Sequence, residues 1–575
     1  MAIQLRVLNS MDKVFPDKIP SGELTALTAF QNEPFSFQIA YRGEANPQAM
    51  IVRVESDVEE YLTSYRVDYV PLRKGYGKGF WADNLGAVDR EGPGLYPDPL
   101  LPRLVNPPII EGNYPWHTNH FEENEKNILY AMPDCWGSVW FSVNEDGKGT
   151  LAAGEHFVNV SFFDRDENKL GEAGLKFTVL PAKLPEQTLL YTNWLHCDCI
   201  CDAHHVEPFS DRFYTILGDY VHKAVINGQN MFMLPAFTPP LDTGIGRERK
   251  CVQLMKITRE GDEETGNYIF DFSEMNKYID VCKAAGATHL EHAHLFTQWG
   301  AKHAPAIYAT VDGERKRIFG WETDALGVGY TRFLRQYIPA VRAFLREEGM
   351  EDKTLFHISD EPDDTKLKSY SAAREIVKDA LEGCMVGDAL SHFEYYKMGL
   401  CSTPIVATDS VGPYLGNCDT MWCYYTGAQV VDNLSNRTFT VTGARNRMMG
   451  WEMYRYNMLG FLDWGLNYYY DIQSFGYANP YIFPEGFGGG DGGAYIAYPG
   501  DNDDAVQSLR QKVFGEGVVD MRALQLLESL SDRETVEKLI DEQFGSQLTF
   551  NTKAPSNAKL LAMREAVNKA IAERL

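Results

Sequence analysis

Basic residues are scarce in this 575-residue chain: 54 Lys and Arg stand against 80 Asp and Glu, a formal charge of −26. A surface of that sign repels phosphate backbones, which excludes nucleic acid as a partner. Long apolar runs are missing as well. No stretch of about 18 apolar residues occurs, so membrane insertion is not expected. Met1 to Ser10 lacks a basic segment followed by an apolar core and a small-residue cleavage site. The sequence as it stands therefore reads as cytoplasmic, or as secreted if a leader has been trimmed. Cysteine is sparse, at 10 residues, which excludes a disulfide scaffold. Cys197, Cys199 and Cys201 alternate in what reads as a strand, where bridges between close neighbours would be strained. Free buried thiols in a reducing compartment are expected. CxxC, HExxH, GxSxG and the phosphate-cradling GxxxxGK-Ser/Thr are absent. The formal GxGxxG in Gly488 to Gly493 does not open a helix after a strand, so no cofactor is expected.

What is present is the composition of a globular protein, 44% hydrophobic and 23% charged, with a 13% aromatic share that suits stacking on planar or sugar ligands. The first 180 residues read as an antiparallel β-sandwich. Phe35, Phe37, Ile39 and Tyr41 alternate with polar or small residues, as do Val139, Phe141 and Val143. His156 to Phe163 and Leu175 to Leu180 flank a turn-rich stretch, Asp164 to Lys169, that reads as a hairpin. Six prolines between Gly92 and Pro108 indicate a long loop. Pro181 to Gln187 is the expected linker. From Leu189 strands alternate with helices, the rhythm of a (β/α)8 barrel over 188–500. The strand candidates are Leu189–His196, Asn230–Ala236, Thr288–Phe296, Thr354–Asp360, Cys384–Ala389, Pro404–Asp409, Met421–Thr426 and Gly460–Gly465. Asp364 to Gly383 reads as the clearest helix, with Asp364 as its N-cap. The remainder, 501–575, reads as helical and packed on the barrel, Leu560, Met563, Val567 and Ile571 marking one face.

Active sites of such barrels lie at the C-terminal ends of the strands. The fourth strand ends in Ser359-Asp360-Glu361-Pro362. Adjacent acids repel, so one should hold its proton while the other stays charged, a division suited to acid–base work; a solvated loop capping the next helix is the plainer reading. His196 and Asp198 follow the first strand and line a polar pocket, unless they are structural. His292 and His294 share a face of the third strand and read as a wall that hydrogen-bonds a polar ligand. A zinc site with His196 or Asp198 is the less favoured alternative, and no metal is expected. Trp422, Tyr424 and Tyr425 at the seventh strand and Trp464 at the eighth are rim aromatics that could stack on a sugar or simply pack under loops.

Taken in order, Tyr96-Pro97-Asp98-Pro99-Leu100, Asn193 to Asp198, Ser359-Asp360-Glu361-Pro362, Leu462-Asp463-Trp464, Ala497-Tyr498-Pro499-Gly500 and Ser508-Leu509-Arg510 resemble glycoside hydrolase family 123 over nearly the whole chain. The resemblance implies an exo-acting β-N-acetylgalactosaminidase on glycans or glycolipids with a terminal β-linked N-acetylhexosamine. It implies a retaining, substrate-assisted mechanism in which the sugar's 2-acetamido oxygen attacks the anomeric carbon, an exception to the two-carboxylate rule. Asp360 would then orient the acetamido N–H, and Glu361 would act as acid and then as base. Tyr424 or Tyr425 would serve the acetamido carbonyl, in a pocket of Trp422 and Trp464. Two other readings remain: a glycosidase of other specificity with a separate nucleophile, for which Asp388, Asp409 and Glu485 are placed, and a non-catalytic carbohydrate-binding protein.

Overall fold

The computed structural model describes residues 3–73, 86–90, 92–102, 128–239, 241–485 and 492–575. The glycine cluster lies largely outside them, as does the proline-rich stretch beyond Pro102. The chain divides into two compact units, one of Met1–Gln187, Val430–Arg455 and Val506–Leu575 and the other of Thr188–Gln429 and Tyr456–Ala505. The boundary at Gln187 coincides with the proline-bearing linker. Among the described residues, no helix is long and apolar enough to cross a membrane.

The first unit is a β-sandwich with helices. One sheet runs Ile3–Asn9, Phe35–Gly43, Gly137–Val143, Leu62–Leu72, Gly94–Leu101 and Ala505–Ser508. The other runs Ala26–Phe30, Lys169–Leu180, Gly154–Phe163, Gln48–Ser56 and Ile128–Ala131, with one parallel pair at its edge. Alternate apolar residues of both sheets meet in one core, where Phe37 stacks on Phe141 and Phe35 meets Phe177 edge-on. Gly94–Leu101 is a strand despite Pro97 and Pro99, where the proline count indicated a loop. The prolines are accommodated because the partner strand shifts register between Val67 and Tyr69, opposite Pro97. The helices Leu509–Leu530, Arg533–Phe544 and Asn557–Ala572 group with this unit. Buried ion pairs fix them there: Arg564 to Glu33 at 2.8 Å and to Asp520 at 3.0 Å, and Arg447 to Asp520 at 2.8 Å.

The second unit is a closed parallel barrel of eight strands: Leu190–Asn193, Met231–Leu234, His289–His292, Thr354–Phe356, Met385–Ala389, Thr403–Ala407, Trp422–Tyr424 and Gly460–Asp463. Each falls on a predicted strand, most of them cut short at the C-terminal end. The residues past those ends include His196, His357, Asp360 and Trp464. Asp360 and Glu361 thus stand beyond the end of the fourth strand rather than on it. The helix after them opens as a tight turn, Asp364–Lys366, before Leu367–Val377, and its cap is Asp363, which accepts from the Thr365 N–H at 2.8 Å. Cys197, Cys199 and Cys201 lie on a short helix, Cys197–Ala203, not a strand. A four-stranded sheet of Lys256–Glu260, Asn267–Asp271, Ile307–Val311 and Glu314–Phe319 decorates the barrel. Ile307, Ala309 and Val311 are buried at alternate positions of its third strand, whereas Glu314–Phe319 is mostly exposed and charged.

Candidate active site

The acid pair is held by its backbone. The Asp360 carbonyl accepts from the Trp299 N–H at 2.9 Å, and the Glu361 N–H donates to the Ala389 carbonyl at 3.0 Å. The dipeptide is therefore slung between the loop after the third strand and the end of the fifth. Glu361 adopts φ +41°, a left-handed conformation that a glutamate takes only when its surroundings over-determine it. Asp360 is half-buried and Glu361 exposed. Tyr424 donates to Glu361 Oε1 at 2.6 Å. The Asp360 carboxyl accepts no hydrogen bond from the described residues. Its pKa is raised well above the usual carboxylate value, first by burial and then by the charges of Glu361 and Asp242. Burial and neighbouring charge thus disfavour the charged form of Asp360, whereas the family resemblance implies that the acid is Glu361.

Asp242, after the second strand, is a third acid of this region. Burial pushes its pKa up to about 6, with Arg249 opposing and Glu361 adding to the shift. Beneath the pair lies a buried imidazolium. His357 meets Glu291 at 2.7 Å and Asp388 at 3.4 Å, all three fully buried. The two carboxylates outweigh desolvation and raise the His357 pKa to about 10. Glu291 also accepts from Thr192 Oγ1 and Trp194 Nε1, each at 2.6 Å. Asp388 accepts from the Ile358 N–H at 2.9 Å and from the Tyr370 hydroxyl. Its oxygens are spent on positioning the segment that leads to Asp360, which removes it as a nucleophile. Asp409 is exposed and accepts from Gln429 at 3.0 Å, and Glu485 is half-buried.

His196 and Asp198 form a wall through a residue the sequence reading passed over, Arg249. Its guanidinium grips Asp198 at 2.6 and 2.7 Å and reaches His196 Nδ1 at 3.0 Å. His196 Nε2 meets the Trp464 carbonyl at 2.9 Å. One nitrogen therefore accepts and the other donates, as neutral imidazole requires, and burial with the Arg249 charge depresses its pKa to about 3. Both residues are engaged with the protein and shape the wall rather than offering free groups. Trp464 is buried beside Tyr468, ring centroids 5.2 Å apart.

Four predicted residues do not join the pair. The third strand ends at His292, so His292 and His294 do not share a face. His292 spends Nε2 on the Tyr337 hydroxyl and Nδ1 on the Ala293 carbonyl, both at 2.6 Å, and faces the helix layer. His294 stacks on His357, centroids 4.3 Å apart and planes 13° from parallel. His294, His357 and Asp388 bring ligand atoms within 4.8 Å of one another. A shared ion must lie in the plane of each imidazole, and stacked rings have no common in-plane point, so this group does not fit a metal. Trp422 is 1% exposed and fills the barrel interior opposite the bare Cα of Gly460, where an added Cβ would strike its ring. Tyr425 turns its ring edge to Phe461 at 5.0 Å. Glu291, a carboxylate in a barrel strand, was the visible signal of the buried charge system.

The paired carboxylates stand beyond the fourth strand of a parallel eight-stranded barrel, at the end where such barrels carry their active sites. Residues 194–527 match the family model described as glycoside hydrolase 123, catalytic domain; the chain belongs to glycoside hydrolase family 123 and is a glycoside hydrolase. A family 123 glycoside hydrolase from Clostridium perfringens, described for glycolipid glycan hydrolysis, shares its fold at a TM-score of 0.69 and 12% identity, covering 100% of this chain and 97% of its own. β-Glucuronidase 3 from Bacteroides uniformis aligns at a TM-score of 0.27 and 8% identity, covering 91% of this chain and 51% of that one. The Parabacteroides merdae β-glucuronidase gives 0.27 and 9%, with 90% and 52% covered. No curated protein matches the chain in sequence.

Proposed function

We propose that the protein is an exo-acting retaining β-N-acetylgalactosaminidase that removes terminal β-linked N-acetylgalactosamine from glycans or glycolipids by substrate-assisted catalysis. The observation that carries this reading is the adjacency of a half-buried Asp360, whose carboxyl accepts no hydrogen bond from the described residues, and an exposed Glu361 tethered by Tyr424. A protein nucleophile and an acid flank the scissile bond from opposite sides, about 5 to 5.5 Å apart. Consecutive residues slung from one strand end approach the sugar from one region, which suits an acid and an anchor, with the substrate supplying the nucleophile. The glycolipid substrate class of the Clostridium perfringens protein supports the choice of ligand.

In the first step the acetamido carbonyl oxygen attacks the anomeric carbon. The bond to the leaving oxygen breaks as Glu361 donates its proton there, and an oxazolinium ion remains. In the second, Glu361 takes a proton from water, the hydroxide adds to the anomeric carbon, and the ring reopens with retained configuration. Asp360 accepts the acetamido N–H in its charged form. The first step needs Asp360 charged and the pair's proton on Glu361, an arrangement that binding of the acetamido N–H at Asp360 favours. The test is hydrolysis of aryl β-N-acetylgalactosaminide beside aryl β-galactoside. Turnover of the first alone is expected; turnover of the galactoside at a comparable rate would overturn the reading.

A further inference from the structure

We infer that Trp299 is the platform on which the leaving-group sugar stacks, an inference that rests on the reading of the site given above. Trp299 lies in the loop beyond the third barrel strand. Its backbone N–H donates to the carbonyl of Asp360 at 2.9 Å, so the position of its Cα is tied to the acid pair itself. The residues before it are buried: Leu295 and Phe296 at 0%, Thr297 at 1% and Gln298 at 5% exposure. Trp299 is 44% exposed. No aromatic ring, cation or hydrogen-bond partner among the described residues engages its indole. A large aromatic surface left in water forfeits the burial that ordinarily decides where tryptophan goes.

The backbone is arranged to keep it there. Trp299 sits at φ +59° and Ala301 at φ +53°, with Gly300 between them at +119°. A Cβ on Gly300 would stand 2.7 Å from the Lys366 side chain, so the loop passes close beneath that lysine. Ser359 Oγ donates to the Thr297 carbonyl at 2.8 Å, and Gln298 Nε2 reaches the Thr243 carbonyl at 3.4 Å. These bonds tie the loop to the fourth-strand segment and to the loop of Asp242. Bulky residues occupy left-handed backbone only where the surroundings hold them, and such residues concentrate at ligand sites. In an exo-acting enzyme the terminal sugar takes the half-buried side, at Asp360. The leaving sugar lies beyond the glycosidic oxygen, on the exposed side with Glu361, and a free indole face there meets the apolar face of a pyranose.

The experiment compares Trp299→Ala, Trp299→Leu and Trp299→Phe with the wild type on two substrates: N-acetylgalactosamine β-linked to galactose, and methyl β-N-acetylgalactosaminide, whose leaving group is too small to stack. Loss of the aromatic face in the Ala and Leu variants should cut kcat/KM for the disaccharide about tenfold. The methyl glycoside should change less than about twofold, and inhibition by free N-acetylgalactosamine should be unaltered. The Phe variant should keep most of the disaccharide activity. Equal losses on both substrates, no loss on the disaccharide, or weakened inhibition by the free sugar would overturn the inference while leaving the function standing. A wild type inert on both substrates would overturn the function, and this inference with it.

Discussion

Tyr424 and Glu361, 63 residues apart, are joined by a 2.6 Å hydrogen bond from the phenol to Oε1, which ties the end of the seventh barrel strand to the acid beyond the fourth. The bond directs Tyr424, a candidate donor to the acetamido carbonyl on its position at the strand end, toward Glu361, the proton donor of the proposed mechanism. Tyr424→Phe should therefore lower kcat on disaccharides about tenfold, the scale of a hydrogen bond to a charged group. It should do less harm with an activated aryl leaving group. Loss of N-acetylgalactosamine binding instead, measured by inhibition, would return Tyr424 to the acetamido pocket.

The division of labour in the pair is separable by leaving group. Glu361→Gln should cut turnover of poor-leaving-group substrates at least about a hundredfold and that of aryl substrates much less, since an activated leaving group needs little acid help. Asp360→Asn should slow both substrates alike, because anchoring the acetamido group precedes departure. It should also raise the thermal midpoint at neutral pH, as it removes a buried carboxyl that folding disfavours in its charged form. Equal leaving-group sensitivity of the two variants would undo the assignment.

Much of this was legible in the sequence, and the exceptions have physical causes. All eight barrel strands were placed because each is a short buried run between helix signals. The acid pair was legible because charge at the end of an apolar strand is conspicuous. The histidines were misassigned because period-2 reasoning ran past His292, where the strand ends. Asp98 and Arg510 show a different limit. Both belong to stretches that carried the family resemblance, and they form a fully buried pair, 2.9 Å at each contact, across 412 residues. No local pattern encodes a partnership at that separation, nor reveals that it holds the first unit together rather than the site. Arg249 and Trp299 were missed because they stand in loops, where no periodicity points to them.

The raised pKa of Asp360 should be readable in kinetics. Turnover needs one proton on the pair, so the alkaline limb of kcat/KM should follow the raised titration at the Asp360 site and lie above the pH at which an ordinary aspartate titrates. Asp242 is one of the charges that raise it. Asp242→Asn should move the limb to lower pH without abolishing turnover. A limb that stays in place in this variant, or shifts upward, would exclude electrostatic coupling between the two acids.

The buried His357 makes a stability prediction of fixed sign. Its pKa is about 10 in the folded protein against 6.5 for a free imidazole. Its contribution is complete below about pH 6.5 and is lost as pH rises through 10. His357→Gln leaves Glu291 and Asp388 buried without a cation and should cost about 3–5 kcal/mol at pH 6. The gap in denaturation midpoint between variant and wild type should narrow steadily toward pH 10. A gap independent of pH would mean that His357 is neutral in the folded state.

Substrate assistance makes the sharpest prediction, because it concerns the identity of the nucleophile. The carboxyl group of Asp360 accepts no hydrogen bond from the described residues and is half-buried, while Glu361 is exposed and held by Tyr424. An anchor for an N–H and a donor for the leaving oxygen fit that arrangement in the proposed mechanism. In the proposed mechanism the nucleophile is the sugar's own acetamido oxygen. A thiazoline analogue of N-acetylgalactosamine copies the bicyclic intermediate, so it should inhibit competitively and at least about a hundredfold better than the free sugar, as mimics of high-energy states do. Asp360→Asn should lose most of that advantage, since the anchor serves the cyclised form. A substrate without the acetamido group should be almost inert. Mass spectrometry of the protein during turnover should find no sugar adduct; a glycosyl ester on Asp409 or Glu485 would transfer the nucleophile to the protein and restore the two-carboxylate mechanism.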